Sequence, residues 1–130
     1  MGIAIAGLTA DARNLCKYMR TECLNYWYVH ENKMPLARMV QQIGDKSQAK
    51  TYKVGKRPYG VGLLIAGVDN RGPHLWETLP DGNYYEYFAQ AIGARSQSAK
   101  TYLEKNYDKF AGSTSAQLIE HAIKALRASA

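Results

Sequence analysis

The chain has few of the residues that build disulfide-bonded or metal-binding proteins, and it has no long apolar run. Only two cysteines and three histidines occur among its 130 residues. The histidines are scattered and none has a neighbouring cysteine, so we expect no metal site and no cofactor. No stretch approaches the roughly 20 apolar residues of a membrane-spanning helix, so we expect no membrane segment. No basic leader precedes the first apolar stretch, and no secretory signal is expected.

The two cysteines, Cys16 and Cys23, lie on the same face of a predicted helix. Two helical turns separate them by about 10 Å, which is too far for a disulfide. We therefore interpret them as buried thiols in a reducing compartment, and we expect a cytoplasmic and nuclear protein. A nucleophilic cysteine needs a base and an exposed, electropositive setting. An apolar helix face supplies neither, so no catalytic residue is predicted.

The positive charge is concentrated in one part of the chain. The formal net charge is +6, and residues 1–58 carry ten Lys or Arg against four acids, whereas residues 59–130 carry seven of each. The basic segment, residues 46–57, contains Lys46, Lys50, Lys53, Lys56 and Arg57. Such a segment is a solvated surface, or it binds nucleic acid or an acidic protein surface. A nucleic-acid-binding module therefore stays as the alternative function, although no aromatic RNA-binding signature or zinc-finger spacing accompanies the segment.

The first part of the chain predicts a strand followed by two helices. Residues 3–8 form the strand, and a helix of about twenty residues follows. Apolar residues recur along this helix at Ala12, Leu15, Cys16, Met19, Cys23, Tyr26 and Trp27, which predicts one buried stripe with Asp11 on the polar side. The second helix begins at Pro35 and is expected to end near Gln48, because Gly44 weakens it.

The second part predicts three antiparallel strands and two more helices. Residues 59–67 form a strand that is apolar on both faces, so we expect both to be covered. Turns separate it from strands over residues 73–79 and 84–92. A helix over residues 95–107 follows, and Thr114 with Gln117 forms a capping box before a last helix with a buried apolar stripe. Pairs of helices between runs of strands indicate an α+β domain across residues 1–130.

Four stretches carry a family resemblance. They are GLTADAR at residues 7–13, RPYGVGLLIAG at residues 57–67, GPHL at residues 72–75 and AIGARSQSAKTYLE at residues 91–104. In order and spacing they resemble the alpha subunits of the 20S proteasome over nearly the whole chain. The last two stretches are most similar to one eukaryotic paralogue of that family.

The resemblance implies a part of an α-β-β-α antiparallel sandwich of the N-terminal-nucleophile hydrolase type. It implies a non-catalytic structural subunit that forms the alpha ring of the core particle, gates substrate entry and docks regulators in ubiquitin-dependent protein degradation. Its partners are expected to be neighbouring alpha subunits, the beta ring and regulatory particles. The active threonine of the complex belongs to beta subunits. A stand-alone hydrolase of the same superfamily needs an N-terminal Thr, Ser or Cys, which neither Met1 nor Gly2 supplies.

One functional site is implied by the resemblance alone. In the family, a Gly-Leu pair before the first long helix lines a pocket for the C-terminal tails of activators, and this pair corresponds to Gly7 and Leu8. The lysine that completes the pocket would lie upstream of Met1, so the pocket is expected to be partial. A full alpha subunit is roughly twice as long, with further strands before and after this central part. We therefore expect exposed sheet edges and self-association of the isolated chain.

Overall fold

The computed structural model describes residues 1–130 and divides them into two compact units, Met1–Tyr87 and Phe88–Ala130. The first unit contains β1 (Gly2–Gly7), α1 (Thr9–His30), α2 (Leu36–Tyr52), β2 (Val61–Asp69), β3 (Gly72–Thr78) and β4 (Tyr84–Tyr87). The second contains α3 (Ser96–Asn106), a 3-10 turn (Tyr107–Lys109) and α4 (Ser115–Ser129). The predicted element order and the α+β class are confirmed. A single domain over residues 1–130 stays a prediction.

The four strands form one antiparallel sheet in the order β1-β2-β3-β4. Leu63 of β2 pairs with Ile5 of β1 on one side and with Thr78 of β3 on the other. β2 is therefore an interior strand, whereas β1 and β4 each have one neighbour in the described sheet.

The hydrophobic core lies between this sheet and the first two helices. Alternate residues of β2, namely Val61, Leu63 and Ile65, are at most 4% exposed. The helices cover them with a cluster of apolar residues, which are Ala12, Leu15, Met19, Leu36, Met39, Val40 and Ile43. The apolar residues that follow the helical period and those that follow the strand period therefore pack together in one buried layer. Trp27, which we placed in the buried stripe of α1, is 55% exposed.

The opposite face of β2 is less covered than predicted. Leu64 is half-buried, Ala66 is exposed and Val68 is 76% exposed. The prediction that both faces are covered is wrong for the described residues of the first unit, because α1 and α2 pack on the same face.

Two predicted boundaries are wrong. α2 continues through Gly44 to Tyr52 instead of ending near Gln48. β4 ends at Tyr87 instead of continuing to residue 92. Beyond it, the Ala91 N–H donates to Oε1 of Gln90 at 3.1 Å, and Arg95 has a φ of 58°. Local side-chain bonding and left-handed backbone both interrupt an extended strand.

The second unit is a pair of helices. Its α4 begins with the predicted capping box, in which both the Thr114 and the Gln117 side chains bond to backbone N–H groups. Tyr102 of α3 and His121 of α4 share a hydrogen bond of 2.9 Å between Oη and Nδ1. The apolar stripe of α4 is exposed instead of buried, at Leu118, Ile119, Ile123 and Leu126. In α4 only Ala125 is buried, so most of this stripe is uncovered within the second unit.

Candidate docking site at the start of the first helix

Gly7 and Leu8 form the junction between β1 and α1. Gly7 is the last residue of β1 and pairs with Val61. Leu8 is the N-cap residue of α1 and has extended backbone dihedral angles, with φ −68° and ψ 113°. Both residues are exposed, and Leu8 retains 54% of its accessible surface. The junction therefore offers backbone and an apolar side chain to a partner.

The junction is held against the residue that precedes β2. The Leu8 N–H donates to the Gly60 carbonyl oxygen at 2.8 Å. Gly7 has a φ of 128°, and a Cβ atom there would collide with the same carbonyl oxygen and lie 2.9 Å from Cα of Val61. Only glycine satisfies both the left-handed backbone and the close approach. The backbone position of Gly7 and Leu8 is therefore set by Gly60.

Asp11 supports this arrangement from inside the first turn of α1. It was predicted on the polar side of the helix, but it is only 5% exposed. Its Oδ2 accepts hydrogen bonds from Nη1 of Arg57 at 2.7 Å and from the Gly60 N–H at 2.9 Å. Its Oδ1 accepts from Nη2 of Arg57 at 2.8 Å. This is a bidentate ion pair around a buried carboxylate.

The ion pair shifts the pKa values of both partners. The hydrogen bond from Arg57, followed by that from Gly60, lowers the pKa of Asp11 to about 2. The same contact raises the pKa of Arg57. Asp11 is therefore ionised at neutral pH, and its buried oxygens have donors. The sequence alone did not reveal this pair, since its patterns placed Asp11 only on the polar side of the helix and Arg57 only in the basic segment.

The first N–H groups of α1 are uncapped by side chains. The N-cap side chain makes no hydrogen bond, and the first intrahelical bond is donated by the Ala12 N–H to the Leu8 carbonyl oxygen at 3.1 Å. The N–H groups before it have no acceptor within the helix. The start of α1 therefore presents donors and the positive end of a helix dipole beside Leu8.

The basic segment does not form a free cationic strip. Nζ of Lys46 lies 4.6 Å from the ring centroid of Tyr18, and Nζ of Lys50 lies 5.5 Å from that of Tyr59. Arg57 is paired with Asp11. These contacts engage three of the five cations, and nothing in the geometry favours a nucleic-acid interface.

A second polar cluster surrounds His74. Its Nδ1 lies 2.5 Å from Oε1 of Glu86 and its Nε2 lies 3.2 Å from Oδ1 of Asp69. The hydrogen bond with Glu86 is the main cause of a raised His74 pKa. The cluster lines a cavity of about 920 Å³, and no Ser, Thr or Cys is among the lining residues. The cavity therefore offers no hydroxyl or thiol nucleophile beside His74.

The structure places no three His, Cys, Asp or Glu side chains where they could share a metal ion. Cys16 and Cys23 are free and partly buried, and burial raises the pKa of Cys23, which disfavours its reactive thiolate. None of the helices combines the length and apolarity needed to cross a membrane.

The proteasome subunit family model matches residues 1–130. The chain is 57% identical over 127 residues to the proteasome subunit alpha type-1 of Dictyostelium discoideum, covering 98% of this chain and 51% of the relative. It is 49% identical over 126 residues to the Drosophila melanogaster proteasome subunit alpha type-1, covering 97% and 45%. The chain belongs to the proteasome subunit family.

The chain is also similar to the probable proteasome subunit alpha type-6 of Schizosaccharomyces pombe. The two are 46% identical over 127 residues, which cover 98% of this chain and 47% of the relative. The chain spans about half the length of the curated relatives that it matches. The resemblance to proteasome alpha subunits is confirmed. Residues 72–75 and 91–104 resemble the paralogue called alpha type-1. The relatives from Dictyostelium discoideum and Drosophila melanogaster both carry that name. The docking role of Gly7 and Leu8 stays a prediction.

Proposed function

We propose that the chain is part of a non-catalytic alpha subunit of the 20S proteasome core particle. In this role it forms the alpha ring, which gates substrate entry and docks regulators in ubiquitin-dependent protein degradation. The observation that carries the proposal is the identity of 49% and 57% to alpha type-1 subunits over 97% and 98% of the chain. The proposed partners are neighbouring alpha subunits, the beta ring and regulatory particles, in the cytoplasm and nucleus.

Exposed apolar side chains support a role in assembly. At the end of α1, Leu24, Tyr28 and Val29 are each at least 70% exposed, and Trp27 beside them is 55% exposed. Clustered large apolar and aromatic residues on a surface are typical of protein interfaces. A subunit that is surrounded by others would bury such residues.

We propose Gly7 and Leu8 as a partial docking site for the C-terminal tail of an activator. Three features support it: an exposed Leu8 side chain, a fixed backbone, and the uncapped N–H groups at the start of α1. Donors at the positive end of a helix suit a carboxylate, which is the group that a chain terminus carries.

We also propose that the chain has no catalytic activity. The raised pKa of Cys23 and the lack of Ser, Thr or Cys around His74 support it, because a hydrolase of this kind needs an activated nucleophile. We expect the purified chain to leave a fluorogenic peptide uncleaved at any concentration tested. Turnover that scales with the concentration of the chain would contradict this proposal.

The assembly role is tested by producing the tagged chain together with the other alpha subunits of its source. We expect the tag to retain identified alpha subunits in fixed ratios after nuclease treatment. Loss of the alpha subunits after nuclease treatment, with nucleic acid retained in an untreated sample and released steeply as salt rises, would contradict the proposal and favour the nucleic-acid alternative.

A further inference from the structure

The Asp11–Arg57 ion pair ties together the two segments that build the docking junction. Asp11 belongs to α1, Arg57 precedes β2, and the Gly60 N–H also donates to Asp11. We propose that Asp11 and Arg57 are positioning residues: they hold Leu8 in place and thereby set the affinity for a tail carboxylate that they do not contact. This inference rests on the docking function proposed above.

The hydrogen bonds form a closed ring. The Gly60 carbonyl oxygen accepts from the Leu8 N–H at 2.8 Å, and the Gly60 N–H donates to Asp11 at 2.9 Å. Asp11 is one helical turn from Leu8, so the first turn of α1 closes the ring. Both polar groups of Gly60 are therefore used to connect Leu8 with Asp11.

Arg57 sets the orientation of the Asp11 carboxylate within this ring. Its two terminal nitrogens bond to the two carboxylate oxygens, and one of those oxygens also accepts from Gly60. Without the guanidinium group, a nearly buried carboxylate would lose its counter-charge and two of its donors. If the Asp11 carboxylate turned toward water, its oxygens would be solvated again, but the Gly60 N–H would lose its acceptor.

Packing leaves little room for the junction to adjust in another way. A Cβ atom at Gly60 would lie 2.6 Å from Cδ1 of Leu8, so the two residues are already in close contact. Loss of the Asp11 bond would therefore move Gly60 and Leu8 together, while β2 remains fixed in the core through Leu63 and Ile65, which are both fully buried.

The two partners differ in exposure, which makes a clean test possible. The Arg57 side chain is 66% exposed, whereas that of Asp11 is 7% exposed. Arg57→Gln removes the charge and the bidentate geometry without opening a cavity. Arg57→Lys keeps the charge with a single nitrogen. Lys56→Gln is the matched control, because it removes one positive charge from the adjacent, exposed position.

The test uses the whole chain assembled with the other alpha subunits, and it has two readouts. The first is amide hydrogen exchange at Leu8 and Gly60, compared with Leu63. The second is binding of a synthetic peptide with the C-terminal sequence of an activator subunit, compared with the same peptide carrying a C-terminal amide. Asp11→Asn is measured alongside as a second variant of the same pair.

We expect Arg57→Gln to accelerate exchange at Leu8 and Gly60 only, and to weaken binding of the free-acid peptide about tenfold. Arg57→Lys should restore part of both properties, and Lys56→Gln should match the wild type. Unchanged exchange at Leu8, faster exchange throughout β2, or tight binding by both Arg57→Gln and Asp11→Asn would each overturn the positioning role alone. A wild-type assembly that does not bind the peptide would overturn the docking function and this inference with it.

Discussion

At the scale of single residues, His74 is a titratable group that lies between two carboxylates. Glu86 of β4 and Asp69 of β2 flank its ring, and Lys33, Arg38 and Arg71 line the same cavity. The pKa of His74 is raised above its ordinary value of 6.5, chiefly by the hydrogen bond with Glu86 and also by Asp69. The effect of the two carboxylates therefore exceeds that of the nearby cations. When the ring is protonated, its two ion pairs link β3 to both neighbouring strands.

The sign of the resulting pH dependence follows from the raised pKa. The stabilisation from His74 is fully present below the pKa of the unfolded chain and is lost as the pH rises through the higher pKa of the folded state. We predict that thermal unfolding curves of wild type and His74→Gln converge as the pH increases from about 5 to about 9. His30→Gln, at an exposed position, is the control. A wild-type advantage that grows with pH would contradict the prediction.

Single-residue roles were the hardest to predict from the sequence. Asp11 and Arg57 are 46 positions apart, and no periodicity connects a first-turn carboxylate with a distant arginine. Asp69 is a similar case, because its lowered pKa has contributions from the Arg71 and Leu36 N–H groups and from His74. The location of the proposed docking site came from family resemblance, and the structure added the hydrogen bonds that hold the junction between β1 and α1.

At the scale of elements, Gly44 shows why α2 continues where the sequence suggested an end. A Cβ atom at Gly44 would lie 2.7 Å from Cδ1 of Tyr84 and 2.9 Å from the Gly82 carbonyl oxygen. Glycine here permits the turn between β3 and β4 to approach the helix. The helix tolerates it because the apolar face of α2, including Met39 and Ile43, is buried in the core.

This packing predicts the effect of Gly44→Ala. Alanine favours a helix by about 1 kcal/mol over glycine, but the clash with a backbone oxygen should cost more, so we expect a net loss of about 1–3 kcal/mol. Chemical denaturation measures the difference. Gly112→Ala, which has nothing within 4 Å of its added Cβ, is the control. Stabilisation by Gly44→Ala would show that the turn can move away.

The capping box of α4 gives a second prediction at this scale. Thr114→Ala removes the oxygen that accepts from the Gln117 N–H at 3.3 Å and should destabilise α4 by about 1 kcal/mol. Hydrogen exchange of the α4 amides measures the loss. Ser115→Ala is the neighbouring control and should change stability by less than about 0.5 kcal/mol. Equal effects of both substitutions would contradict a specific cap.

The elements themselves were largely predictable, whereas some boundaries were not. The spacing of Leu15 and Met19 and the alternation of Leu63 and Ile65 identify a helix and a strand by period alone. The ends of α2 and β4 depend on contacts with other parts of the chain or on local side-chain bonds. The hydrophobic pattern along the sequence does not show where these two elements end.

At the scale of the whole molecule, both units leave apolar surface uncovered. In the first unit it includes Val68 on the open face of β2, and in the second it includes Ile119, Ile123 and Leu126 on α4. In an assembled particle such surfaces would face other chains or other segments. Their presence fits a chain that spans about half the length of its relatives.

The exposed edges and apolar faces predict self-association of the isolated chain. β1 and β4 each have an unpaired side in the described sheet, and such edges pair readily with other strands. Light scattering over a range of concentrations should show a rising average mass. A single monomer peak at all concentrations would contradict this prediction.

The most direct test of the account is native mass spectrometry of this chain mixed with the other alpha subunits of its source. We expect a defined pair or a ring that contains one copy of the chain, with a mass equal to the sum of its subunits. An alpha type-1 subunit of the length found in its relatives serves as the positive control. If both that subunit and this chain remained unbound, the proposed assembly role would be contradicted.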